Sequence, residues 1–146
     1  MTQRVAAVAP WWLAFVMGLG MRRGQRDPDW PLAWMERTLP RCDVAVIRQP
    51  DVRTALRDEF SRPLSPTAAR AAVQDLRLER TPWGFPLRDI ATSVHVWHGD
   101  LDHNVVVENG VYQADAIPGA TLHRVPGAGH WIIHSHFDDI IESVRA

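Results

Sequence analysis

The sequence has a single cysteine and no excess of either charge, and each of these scarcities excludes a class of protein. Cys42 on its own allows no disulfide within the chain and offers no repeated thiolate spacing for a zinc site. A lone cysteine is typical of a small, partly buried hydrophobic residue, and the odd count fits a reducing compartment. We therefore expect a cytoplasmic protein. The net charge of −1 over 146 residues provides no basic surface, which argues against nucleic acid as a partner.

Hydrophobic runs long enough to cross a membrane are also lacking. The apolar stretch over residues 5–20 is interrupted by Pro10, Gly18 and Gly20, and it is shorter than the roughly 20 residues that a spanning helix needs. We interpret it as a helix buried in protein rather than in lipid. A signal peptide over the same residues is the alternative, but the stretch fits that template poorly.

The first part of the chain, residues 1–80, has the apolar spacing of helices. Val52, Leu56 and Phe60 recur one turn apart, and a similar stripe runs through Ala69 and Val73. No strand-like alternation occurs there. We interpret its tryptophans as packing groups between helices, with the lining of an acyl-binding cleft as the alternative; they are Trp11, Trp12, Trp30 and Trp34.

The second part, residues 81–146, begins with a proline- and glycine-rich stretch and then changes pattern. A β-rich segment over 93–97 precedes a helical segment over 105–117, a second β-rich segment over 121–125 and a closing helix over 135–144. This order predicts an α/β fold, a βαβα unit in which the two strands are parallel.

Candidate catalytic side chains follow the two predicted strands. Asp102 lies in the loop after the first strand, and His130 lies in the loop after the second. In open α/β sheets such loops meet at one edge, so we expect the two side chains to be neighbours. A carboxylate beside an imidazole is the orienting half of a catalytic triad. Asp100 is the competitor for the acid, and we interpret it as a solvated turn residue.

The segment "VHVWHGDLDHNVVVENGVYQADAIPGATLHRVPGAGHW" resembles the C-terminal part of the α/β-hydrolase fold family. In that family a strand leads into a G-x-x-D loop, and a helix and a strand then lead into a G-x-G-H loop. The resemblance implies that Asp102 is the triad acid and His130 the base. It also implies that residues 1–80 form a helical cap or lid, and that residues 81–146 form the C-terminal βαβα part of the hydrolase core.

The nucleophile of that family has no counterpart in this sequence. The family order is nucleophile, acid, histidine, with the nucleophile on a G-x-S-x-G turn ahead of the cap, and none of the five serines is flanked by glycines in that way. We therefore expect the C-terminal portion of an esterase-like hydrolase, truncated or split, and inactive alone. A non-catalytic subunit or binding module that requires a complementary chain is the alternative. Whether the missing nucleophile is serine or aspartate stays open.

Metal and cofactor chemistry is not indicated. His130 and His134 have the i, i+4 spacing of a helical zinc pair, but Trp131 stands where the acidic residue of H-E-x-x-H would be. We expect no metal and no cofactor. The substrate of the completed protein would be a small ester-like molecule, and the partner of the chain a complementary chain or further copies of itself.

Overall fold

A computed structural model describes residues 9–62, 67–79 and 81–145. Residues 1–8, where a signal peptide would begin, lie outside the described residues. The described part is mixed α/β and mostly helical. Its elements, in chain order, are α1 (Pro10–Arg26), α2 (Asp29–Thr38), α3 (Arg41–Ile47), α4 (Pro50–Ser61), α5 (Ala68–Leu78), a 3-10 turn (Leu87–Asp89), β1 (His95–Gly99), α6 (Val107–Ala116), β2 (Thr121–Val125), α7 (Ile132–Ser135) and α8 (Phe137–Ser143).

The chain divides into two compact units. The first contains the described residues within 1–35 and 53–83, and the second contains those within 36–52 and 84–146. Residues 36–52, which belong to the helical part of the sequence, are thus in the same unit as both strands. This assignment matters for the site below, because it brings α3 to the loop that follows β2.

The first unit is organised by α1 and α5, which pack against each other. Leu13 and Val73 are buried at their contact, with Ala14, Met17 and Leu76 packed around them. The tryptophans, which the sequence favoured as packing groups, are instead exposed, with 74% of Trp11 and 58% of Trp34 accessible. The apolar face of α1 is therefore only partly covered by the described residues.

The second unit is built on a two-stranded parallel sheet, as the sequence pattern predicted. β1 and β2 pair from His95 opposite Thr121 to Gly99 opposite Val125, and α6 connects the strands and packs on both. The first strand begins and ends two residues later than expected, because the pairing continues up to Gly99. An aromatic group stands on one face, where Trp97 stacks on His123 with ring centroids 4.2 Å apart. A ring nitrogen of His95 lies 2.9 Å from one of His123.

Among the described residues, none of the helices combines the length and the apolar character that crossing a bilayer requires.

Candidate active site

Two loops emerge at the same edge of the sheet because the strands that precede them are parallel neighbours. The loop after β1 starts at Asp100, and the loop after β2 starts at Pro126. Main-chain hydrogen bonds join the loops: Asp100 N–H donates to the Val125 carbonyl at 3.2 Å, and Leu101 N–H donates to the Ala128 carbonyl at 2.9 Å. The loops are therefore held together independently of the side chains that they carry.

Asp102 and His130 meet at this edge. Nδ1 of His130 lies 2.9 Å from Oδ2 of Asp102. A carboxylate can only accept hydrogen bonds, so the proton belongs on Nδ1 and the other ring nitrogen, Nε2, is left as a base in the neutral ring. The Asp102 side chain is 8% exposed and the His130 side chain 43% exposed. The acid is thus enclosed while the imidazole is accessible.

The second oxygen of Asp102 fixes the carboxylate itself. Oδ1 accepts hydrogen bonds from Asn104 N–H at 2.7 Å and from Val105 N–H at 2.9 Å. Behind this turn, Nε2–H of the buried His98 donates to the Val105 carbonyl at 2.9 Å. One oxygen is committed to the loop and the other to His130, so the carboxylate cannot rotate away from the imidazole without losing main-chain bonds.

The pKa of the Asp102 carboxyl lies below its ordinary value of 3.8. Burial on its own raises this pKa, but hydrogen bonds from Val105 N–H, His130 and Asn104 N–H, together with the charge of His130, outweigh burial. The ionised form, which a partner of an imidazolium must have, is therefore the form that the site favours.

This depressed pKa predicts a pH dependence of stability. Because the folded-state pKa is lower than the unfolded one, the stabilisation from ionised Asp102 is complete above the ordinary value of 3.8 and is lost as the pH falls through the folded-state pKa. The free energy of unfolding should thus fall in this acid range more steeply for the wild type than for Asp102→Asn, in urea titrations at successive pH values. Asp115→Asn, an exposed site in the same unit, should keep the wild-type slope. Parallel curves for all three proteins would contradict the prediction.

The remaining ring nitrogen of His130 is available for chemistry. Among residues 9–62, 67–79 and 81–145, Nε2 of His130 has no hydrogen-bond partner. The hydroxyls of Ser61, Ser135 and Ser143 bond elsewhere, each donating to a main-chain carbonyl. The arrangement is an oriented general base whose reactive nitrogen is paired with no described nucleophile.

Asp100 is an exposed turn residue, as its sequence context predicted, and it also makes a bond to the second loop. Its Oδ1 accepts a hydrogen bond from Gly127 N–H at 2.7 Å, so its carboxylate crosses from the first loop to the second. It does not contact His130. Asp100 therefore supports the base of the His130 loop, whereas Asp102 contacts the ring.

Asp43 is the site residue that sequence reasoning missed. It is 1% exposed and lies on α3, and its carboxylate accepts hydrogen bonds from the main-chain N–H groups of His130 at 3.1 Å and Trp131 at 3.0 Å. It is separated from His130 by 87 positions along the chain. Nothing in the local sequence of α3 distinguishes this aspartate from other helical acids.

The other histidines do not gather around a common centre. His134 stacks on Trp131, and Nδ1 of His136 lies 2.8 Å from the Ser135 hydroxyl. In the part of the chain that the structure describes, no group of three or more histidine, cysteine, aspartate or glutamate side chains is arranged to hold a metal ion.

Comparisons with known proteins give a structural likeness and no family match. No protein-family model matches the chain, and no curated protein matches it. The chain is similar to a solved structure described as "Est816 as an N-Acyl homoserine lactone degrading enzyme", with a TM-score of 0.46 and 23% sequence identity. The likeness covers 77% of this chain and 41% of that chain, so the chain spans less than half of that protein.

Proposed function

We propose that Asp102 and His130 are the acid and base of a hydrolase that acts on an ester or related carbonyl substrate. The observation that carries the proposal is the imidazole itself, held at Nδ1 by an enclosed carboxylate and left open at Nε2. In this proposal the second unit is the C-terminal portion of an α/β-hydrolase fold, and the helices of the first unit are part of its cap.

His130 would transfer one proton, and Asp102 would hold and stabilise the ring while it does so. Nε2 of His130 would take the proton of the nucleophile's hydroxyl as its oxygen attacks the substrate carbonyl carbon, and would then give the proton to the leaving alcohol. Asp102 would stay ionised throughout, hold the ring in the Nδ1–H tautomer and stabilise the transient imidazolium. Water would then hydrolyse the acyl intermediate with His130 as base again, restoring the nucleophile's hydroxyl.

The nucleophile in this proposal comes from outside residues 1–146. The sequence has no G-x-S-x-G turn, and Ser135 and Ser143, in the same unit as His130, donate to main-chain carbonyls instead. The open sheet supports the same view, because a parallel pair of two strands leaves unpaired edges and is rarely stable without further strands and covering helices. A complementary segment would supply the nucleophile and continue the sheet, and without one we expect self-association.

The proposal is tested with activated esters, first on the chain alone. The 146-residue protein should hydrolyse p-nitrophenyl acetate and butyrate no faster than its His130→Gln variant, because neither contains the nucleophile. Saturable hydrolysis by the wild type, lost in His130→Gln, would place a nucleophile within the chain and contradict this part of the proposal.

The second step adds the missing segment. The DNA upstream of codon 1 is translated in all three frames and searched for a G-x-S-x-G motif, which the family order would place ahead of the cap. Co-expression of that segment with the chain should produce ester hydrolysis that requires both its serine and His130. An aspartate in the nucleophile position would redirect the assay to epoxides and haloalkanes. Assembly without any His130-dependent turnover would favour a non-catalytic binding role.

A further inference from the structure

We propose that Asp43 is a positioning residue, which sets where the His130 imidazole stands by anchoring the main chain of the loop that carries it. The proposal rests on the proposed function of His130 as a base. It concerns a residue in another segment of the chain, on α3, whose carboxylate bonds to main-chain amides of the loop.

The contacts of Asp43 are to consecutive main-chain groups at the base itself. Oδ2 accepts from His130 N–H and Oδ1 accepts from Trp131 N–H, so each carboxylate oxygen holds one amide. Hydrogen bonds to a charged acceptor are stronger than neutral ones, and a buried carboxylate that lost them would be left without compensation. With 1% of Asp43 exposed, water cannot replace either bond readily.

The loop approaches Asp43 so closely that no side chain fits between them. A Cβ at Gly129 would stand 2.3 Å from Oδ1 and 2.5 Å from Oδ2 of Asp43. Only glycine therefore allows the residue before His130 to lie against the carboxylate. The identity of residue 129, which in the sequence is simply the small residue of the G-x-G-H loop, is explained by Asp43.

Side-chain contacts alone do not fix this loop. A pocket of about 170 Å³ borders it, lined in part by Cys42, Val46, Pro126, Trp131 and His136. On the side of this pocket the loop has no partner atoms that would resist its displacement. The two bonds from Asp43 are then the contacts that hold residues 129–131 against α3.

Asp43 and Asp102 together fix His130 at two separate points. Asp43 holds its amide nitrogen at 3.1 Å and Asp102 holds its ring Nδ1 at 2.9 Å. A side chain attached at one point can rotate, whereas one attached at both ends has a defined direction. A displacement of about 1 Å at a catalytic group lowers the reaction rate on the order of 100-fold. The bonds from Asp43 to the main chain therefore affect the rate through the position of the imidazole.

The test uses nuclear magnetic resonance on the full chain, so it needs no nucleophile. Two readouts are followed: hydrogen exchange of the His130 and Trp131 amides, and the ¹⁵N signals of the His130 ring, which report whether Nδ1 is protonated. The variants are Asp43→Asn and Gly129→Ala, which disturb the same contact from opposite sides, with Asp102→Asn for comparison and Asp115→Asn as a matched exposed control.

We expect both Asp43→Asn and Gly129→Ala to speed exchange of at least one of the two amides by about ten- to hundredfold. Both should also shift the His130 ring from a defined Nδ1–H tautomer towards a mixture. Asp102→Asn should disturb the ring and leave the amides at the wild-type rate, and Asp115→Asn should change neither. In the assembled hydrolase the first two variants should lower kcat on the order of 100-fold with KM near the wild-type value.

The outcomes separate this proposal from the function on which it rests. Faster amide exchange with an unchanged His130 ring would overturn the proposal, because Asp43 would then be only structural. Unchanged amide exchange in both variants would also overturn it. Should Asp43→Asn not fold, Gly129→Ala decides, because it leaves the carboxylate in place; loss of fold in both would also count against a specific positioning role. An unprotonated Nδ1 in the wild type would contradict the proposed function, while the amide rates would still show whether the anchor exists.

Discussion

Gly99→Ala should lower the free energy of unfolding of the second unit by about 3 kcal/mol, which is the upper end of the usual range for overpacking. Gly99 ends β1 where the two loops cross. A Cβ there would stand 2.4 Å from the Ala128 carbonyl oxygen and 2.6 Å from that of Gly129. Both obstacles are main-chain atoms, so relief requires the whole His130 loop to move away from β1. Because small domains have only about 5–15 kcal/mol of stability in total, this change could unfold the unit.

The measurement is a urea titration followed by circular dichroism, with the amide signals of β1 and β2 as a local report. Gly20→Ala provides a matched control of opposite sign. No atom lies within 4 Å of a Cβ built at Gly20, which is inside α1, so alanine should stabilise that helix by about 0.5–1 kcal/mol. A Gly99→Ala midpoint equal to that of the wild type would mean that the loops are not packed as closely as described.

Asp102→Asn should lower kcat of the assembled hydrolase by about 10,000-fold with little change in KM. The amide oxygen can keep both main-chain bonds to the loop, and the NH₂ group, which then faces His130, donates instead of accepting. The ring would then carry its proton on Nε2, the nitrogen that must be free to act as a base. The variant would leave the imidazole in place and in the wrong tautomer, and it would also remove the charge that stabilises the imidazolium.

The assay is steady-state hydrolysis of p-nitrophenyl esters by the chain co-expressed with its nucleophile-bearing segment. Asp115→Asn, which makes the same chemical change at an exposed site, should retain wild-type kcat. Asp100→Asn should also retain most of the activity, because Asp100 bonds to Gly127 and not to the ring. If Asp100→Asn and Asp102→Asn caused equal losses, the assignment of Asp102 as the acid would be wrong.

The parallel strands could be predicted because their signal is local. The segment over 121–125 is β-rich along its whole length, and the structure has β2 at Thr121–Val125. The end of β1 was less well predicted, because glycine is typical of turns. Gly99 belongs to the strand because it pairs with Val125. The start of the last helix was also misplaced, because Ser135 ends the short helix α7 and α8 begins only at Phe137.

The meeting of Asp102 and His130 could be predicted because it follows from topology. Loops after adjacent parallel strands lie at one edge, so order and separation along the chain were sufficient. The role of Asp43 could not be predicted, because its contact depends on where α3 packs. The position of a packed helix cannot be inferred from a single acidic residue in its sequence. The exposed tryptophans show the same limit, since aromatic content indicates an apolar surface but not what covers it.

The two hydrogen bonds that hold His130 join residues at very different separations along the chain. The bond to Asp102 spans 28 positions and the bond to Asp43 spans 87. Loop-closure entropy grows with the logarithm of that length, which makes the longer closure costlier by about 1 kcal/mol. A piece of the chain beginning after Val52 would contain both members of the acid–base pair but not the carboxylate that anchors their loop. The smallest unit able to hold the base in place is therefore discontinuous in sequence, with residues 36–52 as its detached part.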